Sequence, residues 1–503
     1  MGRNRKTGTV TIIPNLSIID IAEEGKGVGK AEELVIFVDK AVPGDIADVR
    51  IVKKKKNLAE AVIETLHTSS ELRTDPFCQH FGVCGGCKWQ HMQYDAQLKY
   101  KYKNVEAALQ RLGKIDTSSM EPILGSAENK YYRNKLEYTF SNKRWLNKSD
   151  MPAQISDLIV EEPFEGVAEE PSENIFEETS GIVADEPAME MNALGFHVPL
   201  RFDKILDIQH CYLQAEPSNT LRNQVRNYAL RKGVSFYDLR NHEGSLRNLI
   251  IRTSTTGEVM VVVVFAYVEQ QQVDEMMEYL KVNFPEVTSL LYIINQKKND
   301  TIYDQEVITY AGRPYIFEEM DGLKFKIGAK SFYQTNSNQA YELYKITKDF
   351  ADLKGDELVY DLYTGAGTIA NFVARNVKQV IGIEFVPSAI EDAKFNAEYN
   401  GIDNTLFYAG DMKDILTADF MTTHGKPDVV ITDPPRAGMH VDVVQRLLEM
   451  EAPKIVYVSC NAATQARDLA LLKEKYEVVR IKPVDMFPHT QHVENVVLLK
   501  LIA

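Results

Sequence analysis

Residues 431–464 read ITDPPRAGMHVDVVQRLLEMEAPKIVYVSCNAAT and contain two short apolar runs, each followed closely by polar side chains. The first run leads to Asp433 and Arg436, and the second leads to Cys460. Apolar runs of this length predict buried parallel strands of an α/β sheet. Such open sheets bind ligands in the crevice outside the carboxyl ends of their strands. We therefore expect Asp433, Arg436 and Cys460 to face one crevice.

Cys460 is a candidate nucleophile because of its expected neighbours. A lone cysteine after a strand is more often a small buried hydrophobe than a reactive group. Here, however, the Asp433 motif follows another strand, and the segment DMFPHTQHVE near the C-terminus ends at Glu494. A thiol, an arginine and two carboxylates in one pocket would suit covalent catalysis assisted by a base. Taken alone, Glu494 is better explained as a surface carboxylate before the last strand.

A glycine turn, YTGAG at 363–367, follows one predicted strand, and the next predicted strand ends in Glu384. Gly365 permits a tight turn and close approach of a nucleotide-like ligand, while the acid can accept both ribose hydroxyls. The motif also fits a dinucleotide site. Two features favour S-adenosylmethionine: Asp361, before the turn, would hold the cationic amino acid moiety, and Asp411 follows a third strand, where the adenine edge would fall.

Four cysteines lie outside the Cys460 motif and predict a metal centre. Cys78, Cys84 and Cys87 have the spacing C-x5-C-x2-C, and Cys211 stands far along the chain. Disulfides are improbable in a reducing cytosol. Four thiolates suit either a tetrahedral zinc ion or an iron–sulfur cluster, and the spacing does not choose between them.

A chain of 503 residues exceeds the size at which one hydrophobic core stops growing, so several domains are expected. Residues 1–67 contain short β-rich runs separated by glycine and proline turns, which predict an OB-type barrel. Residues 68–320 form a predicted central α+β domain that carries the cysteines. Residues 321–503 form the predicted cofactor-binding α/β domain.

The net charge of -15 is unevenly distributed. Residues 150–190 contain thirteen Asp and Glu and no Lys or Arg, whereas residues 88–144 contain eleven basic and six acidic side chains. The acidic segment lacks periodicity and is predicted to be a loop or disordered insert within the central domain. The basic region predicts contact with nucleic acid, and the acidic insert would repel RNA and limit non-specific binding.

No stretch approaches the roughly 18 uninterrupted apolar residues of a membrane-spanning helix, and the N-terminus has no long apolar segment of the secretory type. We therefore expect a cytoplasmic protein with no membrane partner, acting as a monomer.

The motifs DPPRAG, YVSCNAAT and DMFPHTQHVE together resemble the signatures of the RNA (uracil-5-)-methyltransferase family. With the barrel and the cysteine spacing, the chain is most similar to the branch that acts on 23S ribosomal RNA, whose barrel is called the TRAM domain. The resemblance covers nearly the whole chain except the acidic insert. It implies a Rossmann-like class I methyltransferase domain, an N-terminal TRAM barrel and a central α+β domain with a four-cysteine cluster site.

The resemblance also assigns roles to residues of this sequence. It implies that Cys460 is the nucleophile, that Glu494 is the base that removes a proton, and that RNA is the substrate. It favours a 4Fe-4S cluster over zinc. The implied ligands of that cluster are Cys78, Cys84, Cys87 and Cys211. The implied cofactor contacts are Gln334, Tyr363, Glu384 and Asp433, to which the glycine-turn argument adds Gly365 and Asp411.

Three other functions stay open at this point. The same reaction on transfer RNA is the nearest, because relatives in the family modify a loop uridine there. N6-adenine methylation would need an aromatic residue at the position of Arg436 and would need no cysteine. A non-catalytic iron–sulfur RNA-binding protein is opposed by the presence of both Cys460 and Glu494.

Overall fold

The computed structural model describes residues 11–147 and 189–502. The chain divides into two compact units. The first comprises Met1–Gln93, Tyr138–Gln209 and Leu230–Arg247, and the second comprises Tyr94–Glu137, His210–Ala229 and Asn248–Ala503. The domain boundaries at residues 67 and 320 stay a prediction. The acidic insert predicted at 150–190 lies outside the described residues, apart from its last two positions.

In the first unit, residues 12–68 form a closed five-stranded barrel, which confirms the predicted barrel. Its strands follow the order β1-β2-β3-β5-β4, and β3 and β5 are parallel. Small and branched apolar residues fill the interior, including Ile36, Val38 and Val49. The strands are β1 (Ile12–Ile21), β2 (Gly27–Ala31), β3 (Leu34–Asp39), β4 (Ile46–Lys55) and β5 (Leu58–Thr68).

Between the barrel and the cofactor domain the chain is of mixed α+β type. The valine-rich run of β10 is buried along its whole length and pairs parallel with β11, and its continuous apolar pattern is typical of such buried strands. The strands are β6 (Lys135–Ser141), β7 (Ala193–Val198), β8 (Arg201–Asp207), β9 (Leu246–Thr253), β10 (Val259–Phe265), β11 (Val287–Ile294), β12 (Ile308–Gly312), β13 (Tyr315–Met320) and β14 (Leu323–Gly328). The helices are α1 (Tyr94–Ala108), α2 (Ser218–Lys232) and α3 (Gln270–Asn283). A single wider turn continues α1 through Leu109–Gly113.

Within residues 358–501 of the second unit, seven strands form a sheet with the order β17-β16-β15-β18-β19-β21-β20. The first five are parallel, and the last two are antiparallel to their neighbours. The strands are β15 (Leu358–Leu362), β16 (Gln379–Glu384), β17 (Thr405–Ala409), β18 (Val429–Thr432), β19 (Lys454–Ser459), β20 (Tyr476–Val484) and β21 (Glu494–Leu501).

Helices cover both faces of this sheet, because its strands are apolar on both sides. They are α4 (Ser337–Ala351), α5 (Thr368–Ala374), α6 (Pro387–Tyr399), α7 (Met412–Ile415), α8 (Ala418–His424), α9 (Val441–Met450) and α10 (Ala462–Leu472). The strand order reverses between β15 and β18, which places a ligand crevice at their carboxyl ends. The predicted Rossmann-like domain is confirmed. In the part of the chain that is described, no helix is both long and apolar enough to cross a membrane.

Candidate active site

Cys460 lies directly after β19 and just before α10. Asn461 caps that helix, since its side-chain oxygen accepts hydrogen bonds from the backbone N–H groups of Ala463 and Thr464 at 3.0 and 3.4 Å. The thiol is half-buried at the carboxyl end of the sheet. The strand and the cap together hold Cys460 at the crevice that the apolar runs predict.

The loop that carries Asp433 and Arg436 is tied to the Cys460 loop. The carbonyl oxygen of Arg436 accepts hydrogen bonds from the side chains of Asn461 and Thr464 at 3.2 and 3.1 Å. Farther along the loop, the buried carboxylate of Asp468 accepts a hydrogen bond from the backbone N–H of Met439 at 2.8 Å. These bonds make the two strand-end loops one structural element.

Glu494 is the first residue of β21, which runs antiparallel to β19. Because Ser459 pairs with Asn495, Cys460 and Glu494 lie at the same end of the two strands. The Glu494 side chain is only 4% exposed. The interpretation of Glu494 as a surface carboxylate is therefore wrong, and its burial is what a positioned acid or base requires.

Burial and mutual repulsion shape the ionisation of these groups. Burial raises the pKa of Glu494 well above its usual value, Asp433 adds to the rise, and Arg436 opposes it. Burial, followed by Glu494 and Asp433, raises the pKa of Cys460 to about 12, again against Arg436. The charges of these four side chains influence one another, so their ionisation is coupled. At neutral pH the site therefore holds more protons than isolated side chains would.

The glycine turn after β15 has the backbone that close ligand approach requires. Tyr363, Gly365 and Gly367 have φ values of 62°, 55° and 73°. A Cβ at Gly367 would lie 2.9 Å from the Cβ of Ala393, so this position has no room for a side chain. A Cβ at Gly365 would meet no described atom within 4 Å, so this position has room for a side chain.

Glu384 is held against this turn. One of its carboxylate oxygens accepts a hydrogen bond from the N–H of Gly365 at 3.2 Å, and the other accepts from Val386 at 3.0 Å. The N–H donors orient the carboxylate at the end of β16, where a ribose would lie in a nucleotide-binding sheet.

Asp361 supplies the main evidence that this crevice fits a cationic cofactor. Its Oδ2 accepts hydrogen bonds from Thr364 at 2.5 Å and from the N–H of Ala370 at 3.0 Å. Its Oδ1 is buried and finds no hydrogen-bond partner within residues 11–147 and 189–502. Burial raises the pKa of Asp361 to about 7, with Glu384 contributing. A buried carboxylate oxygen without a donor can accept a hydrogen bond from the positively charged amino group of S-adenosylmethionine.

Three of the predicted cofactor contacts, Tyr363, Asp411 and Asp433, interact electrostatically with one another or with the carboxylates described above. Burial raises the pKa of Tyr363 to about 12, and the charges of Asp468, Asp411 and Glu384 add to the rise. Burial also raises the pKa of Asp433, with Asp361 contributing. Tyr363 therefore interacts electrostatically with Asp411 and Glu384, and Asp433 interacts with both Asp361 and Glu494. The role of each in binding stays a prediction.

Gln334 is buried on the segment before α4. Its backbone oxygen accepts a hydrogen bond from the side chain of Asn134 at 2.9 Å. Asn134 is a positioning residue that the sequence did not reveal, because nothing in KYYRNK distinguishes its partner two hundred residues away.

The segment that ends at Glu494 is held by α1. Tyr94, Gln97 and Lys101 lie on one face of this helix. The hydroxyl of Tyr94 and the ammonium of Lys101 donate to the two oxygens of Asp485 at 2.8 and 2.5 Å. The side chain of Gln97 accepts from the N–H of His489 at 2.9 Å. The helical spacing of these polar residues indicates that they share one face of α1, but it does not identify their partners.

The three neighbouring cysteines lie on a loop of the first unit that packs on the barrel. The indole N–H of Trp89 donates to the carbonyl of Gly25 at 2.9 Å, and the N–H of Gly86 donates to the sulfur of Cys84 at 3.4 Å. Cys78 and Cys87 are half-buried like Cys84, whereas Cys211 is buried in the second unit. Among the described residues, no three His, Cys, Asp or Glu side chains are arranged to hold a metal ion. The cluster stays a prediction from the sequence.

Comparison with known proteins decides the family. A model described as tRNA (Uracil-5-)-methyltransferase matches residues 253–502, and a TRAM domain model matches residues 4–63. Over 484 residues the chain is 55% identical to an uncharacterised RNA methyltransferase of Bacteroides thetaiotaomicron, covering 96% of this chain and 100% of the relative. The chain belongs to the RNA (uracil-5-)-methyltransferase family. It is therefore an enzyme that uses S-adenosylmethionine to methylate uracil in RNA.

Two further relatives extend this comparison. A similar protein of Porphyromonas gingivalis, also described as an RNA methyltransferase, is 54% identical over 488 residues, covering 96% of this chain and 99% of that protein. The crystal structure of Pyrococcus abyssi tRNA (uracil-54, C5)-methyltransferase with S-adenosyl-L-homocysteine superposes with a TM-score of 0.70 at 26% identity. That match covers 96% of this chain and 99% of the other.

Proposed function

We propose that this enzyme methylates carbon 5 of a specific uridine in 23S ribosomal RNA through a covalent adduct on Cys460, with Glu494 as the base. The observation that carries the mechanism is the meeting of Cys460, Asp433, Arg436 and Glu494 at one end of β18, β19 and β21. Covalent catalysis on uracil needs a nucleophile and a base in one buried pocket.

The chemistry follows from the poor nucleophilicity of carbon 5 of uracil. The Cys460 thiolate forms a bond to carbon 6, and the electron pair of the ring double bond moves onto the carbonyl oxygen at carbon 4 to give an enolate. S-adenosylmethionine, when bound, supplies an electrophilic methyl group on a positively charged sulfur. Carbon 5 of the enolate takes that methyl group as the methyl–sulfur bond breaks and its electron pair stays on the sulfur. Glu494 then removes the proton from carbon 5, the ring double bond forms again, and the bond between carbon 6 and the Cys460 sulfur breaks to release the thiolate.

Several side chains prepare this sequence of steps. Asp361 would hold the cofactor's amino group, and Glu384 beside Gly365 would hold its ribose. Gln334, Tyr363, Asp411 and Asp433 complete the proposed binding set. A bound cation beside Asp361 and Asp433 favours their charged forms. Arg436 favours the thiolate of Cys460 and the anionic form of Glu494 by the same principle.

The proposed mechanism is tested by two variants with opposite expectations. With RNA that contains 5-fluorouridine, which has no proton to remove at carbon 5, the wild-type enzyme and cofactor should form a stable protein–RNA adduct. Cys460→Ala should form none. Glu494→Gln should form an adduct with ordinary RNA and release it slowly, because only the last step needs the base. An adduct in Cys460→Ala, or full turnover by it, would overturn the covalent mechanism.

Ribosomal RNA is proposed as the substrate because the barrel and the cysteine spacing resemble that branch. Transfer RNA is the second candidate, favoured by the structural match to the Pyrococcus abyssi enzyme. Transfer of labelled methyl to unmodified 23S ribosomal RNA and to transfer RNA, with nucleoside mass analysis, separates them. Product in transfer RNA alone would retain the chemistry and reject the ribosomal substrate.

We propose further that Cys78, Cys84, Cys87 and Cys211 bind a 4Fe-4S cluster. Thiolates are the ligands that such clusters require, and the glycines between Cys84 and Cys87 let the chain turn around a cofactor. Iron and sulfide analysis of anaerobically purified protein should give four of each per chain, and Cys84→Ser should lower both. Stoichiometric zinc without iron would reject the cluster.

A further inference from the structure

The rings of Tyr131, His210 and Tyr212 meet at the surface of the second unit, and we refer to these residues as the aromatic platform. The centroids of His210 and Tyr212 lie 4.4 Å apart, and those of Tyr131 and Tyr212 lie 5.8 Å apart. The hydroxyl of Tyr131 lies 3.1 Å from Nε2 of His210. The backbone N–H of Tyr131 donates to the carbonyl of Tyr212 at 2.6 Å, which fixes the two segments together.

The platform remains accessible. Tyr131 is 40% exposed, and His210 and Tyr212 are half-buried. The ammonium of Lys130 lies 5.7 Å from the centre of the Tyr212 ring. Glu216 is an acidic neighbour of Tyr131, and its carboxylate accepts a hydrogen bond from the N–H of Thr220 at 3.0 Å. Solvent-exposed aromatic rings can stack on an RNA base, and an exposed lysine beside them can contact its phosphate.

The next two residues of the chain connect the platform to the loop that leads to Glu494. The hydroxyl of Tyr132 donates to the carbonyl of Pro488 at 3.0 Å, and the Arg133 guanidinium lies 5.1 Å from the centre of the Phe487 ring. Both partners belong to the loop that leads to Glu494. Tyr131 therefore directly precedes two residues that contact this loop, so the platform lies beside the segment that leads to the proposed base.

We infer that the aromatic platform stacks an unpaired base that flanks the target uridine, with the ammonium of Lys130 facing its phosphate. This inference rests on the proposed function, because it needs an RNA whose target uridine enters the crevice beside Cys460. A base that leaves its helix loses its stacking partners, and an aromatic surface replaces them whatever the base identity. The platform therefore supports substrate binding without reading sequence.

The test compares Tyr131→Leu with Tyr131→Phe, using the RNA that the wild-type enzyme methylates. Tyr131 has a φ of 57°, so both replacements bear the same backbone strain as tyrosine. Tyr303→Leu is the matched control, since Tyr303 is 74% exposed elsewhere in the same unit. Tyr131→Leu should raise the KM for RNA about tenfold. The KM for S-adenosylmethionine should stay unchanged, and Tyr131→Phe and Tyr303→Leu should resemble the wild type.

A second readout does not depend on steady-state kinetics. RNA with 2-aminopurine at each position flanking the target should lose fluorescence at one of them when the wild-type enzyme binds, and Tyr131→Leu should restore it. Unquenched 2-aminopurine at every flanking position, or equal KM values for RNA in all variants, would overturn the platform. Failure of the wild type to methylate any RNA would instead overturn the proposed function.

Discussion

The ammonium of Lys101 lies 2.5 Å from a carboxylate oxygen of Asp485, and both side chains are completely buried. The same ammonium donates to the carbonyl of Phe487 at 3.0 Å. This ion pair connects α1 to the loop that ends at Glu494. The position of the proposed base thus depends on a helix that contributes no atom to the reaction.

Lys101→Met should therefore be strongly destabilising, because it leaves Asp485 buried without its counter-charge. Removing one partner of a buried ion pair costs about 3–5 kcal/mol. Denaturant unfolding should show a loss of this size. The surviving folded enzyme should have a lower kcat with little change in the KM for S-adenosylmethionine, since the Glu494 loop is affected and the glycine turn is not. Lys103→Met, at an exposed position on the same helix, is the control and should change neither quantity. Equal stability of the two variants would contradict a stabilising role of the Lys101–Asp485 ion pair.

Asp468 connects the loop of Asp433 to the strand before Cys460. Its Oδ2 accepts hydrogen bonds from the hydroxyl of Tyr457 at 2.7 Å and from the N–H of Met439 at 2.8 Å. Asp468→Ala leaves both buried donors without an acceptor, at about 1–3 kcal/mol each. Tyr457→Phe removes one donor together with its need for an acceptor, so it should cost less. Adduct formation with 5-fluorouridine RNA should be slower in Asp468→Ala than in Tyr457→Phe. Equal rates would show that the loop does not depend on its hydrogen bond to Asp468.

Gly365 and Gly367 form a matched pair, because both have left-handed backbone and only one has room for a side chain. Either change to alanine costs about 1–2 kcal/mol from backbone strain. At Gly367 the new methyl group also collides with Ala393, adding about 1–3 kcal/mol. Gly367→Ala should therefore be the less stable in thermal unfolding. Gly365→Ala should instead raise the KM for S-adenosylmethionine, and an unchanged KM would place the cofactor away from this turn.

The sequence predicted the parts of the site that rest on local signals. Cys460 and Asp433 each follow an apolar run, and strand ends in a parallel sheet necessarily meet at one edge. The ion pair between α1 and the Glu494 loop was not predictable, because Lys101 and Asp485 are 384 residues apart and both residue types normally lie at the surface. Burial of Glu494 was equally hidden, since it follows from the antiparallel pairing of β21 with β19. Long-range polar pairs leave no periodic pattern in a sequence.

The pKa of Asp361 gives the folded enzyme a defined dependence on pH. Burial raises this pKa to about 7 from a usual value of 3.8. The folded state therefore favours the protonated form, so the stability that this group contributes is complete below about pH 4 and is lost as the pH rises through 7. Asp361→Asn, which cannot ionise, should be more stable than the wild type at pH 8, by about 4 kcal/mol at most, and should show no such advantage at pH 4. Denaturant unfolding at the two pH values measures the difference.

The same carboxyl group should couple cofactor binding to proton release. A positive amino group beside Oδ1 of Asp361 favours the carboxylate, so its pKa falls when S-adenosylmethionine binds. At pH 7, where about half of the ligand-free molecules carry this proton, binding should release a fraction of a proton to the buffer. Calorimetric titrations in two buffers of different ionisation enthalpy should then give different binding enthalpies, and Asp361→Asn should reduce that difference. Identical enthalpies for the wild type would mean that the cofactor's amino group lies away from Asp361, and the binding site would have to be sought elsewhere along the crevice.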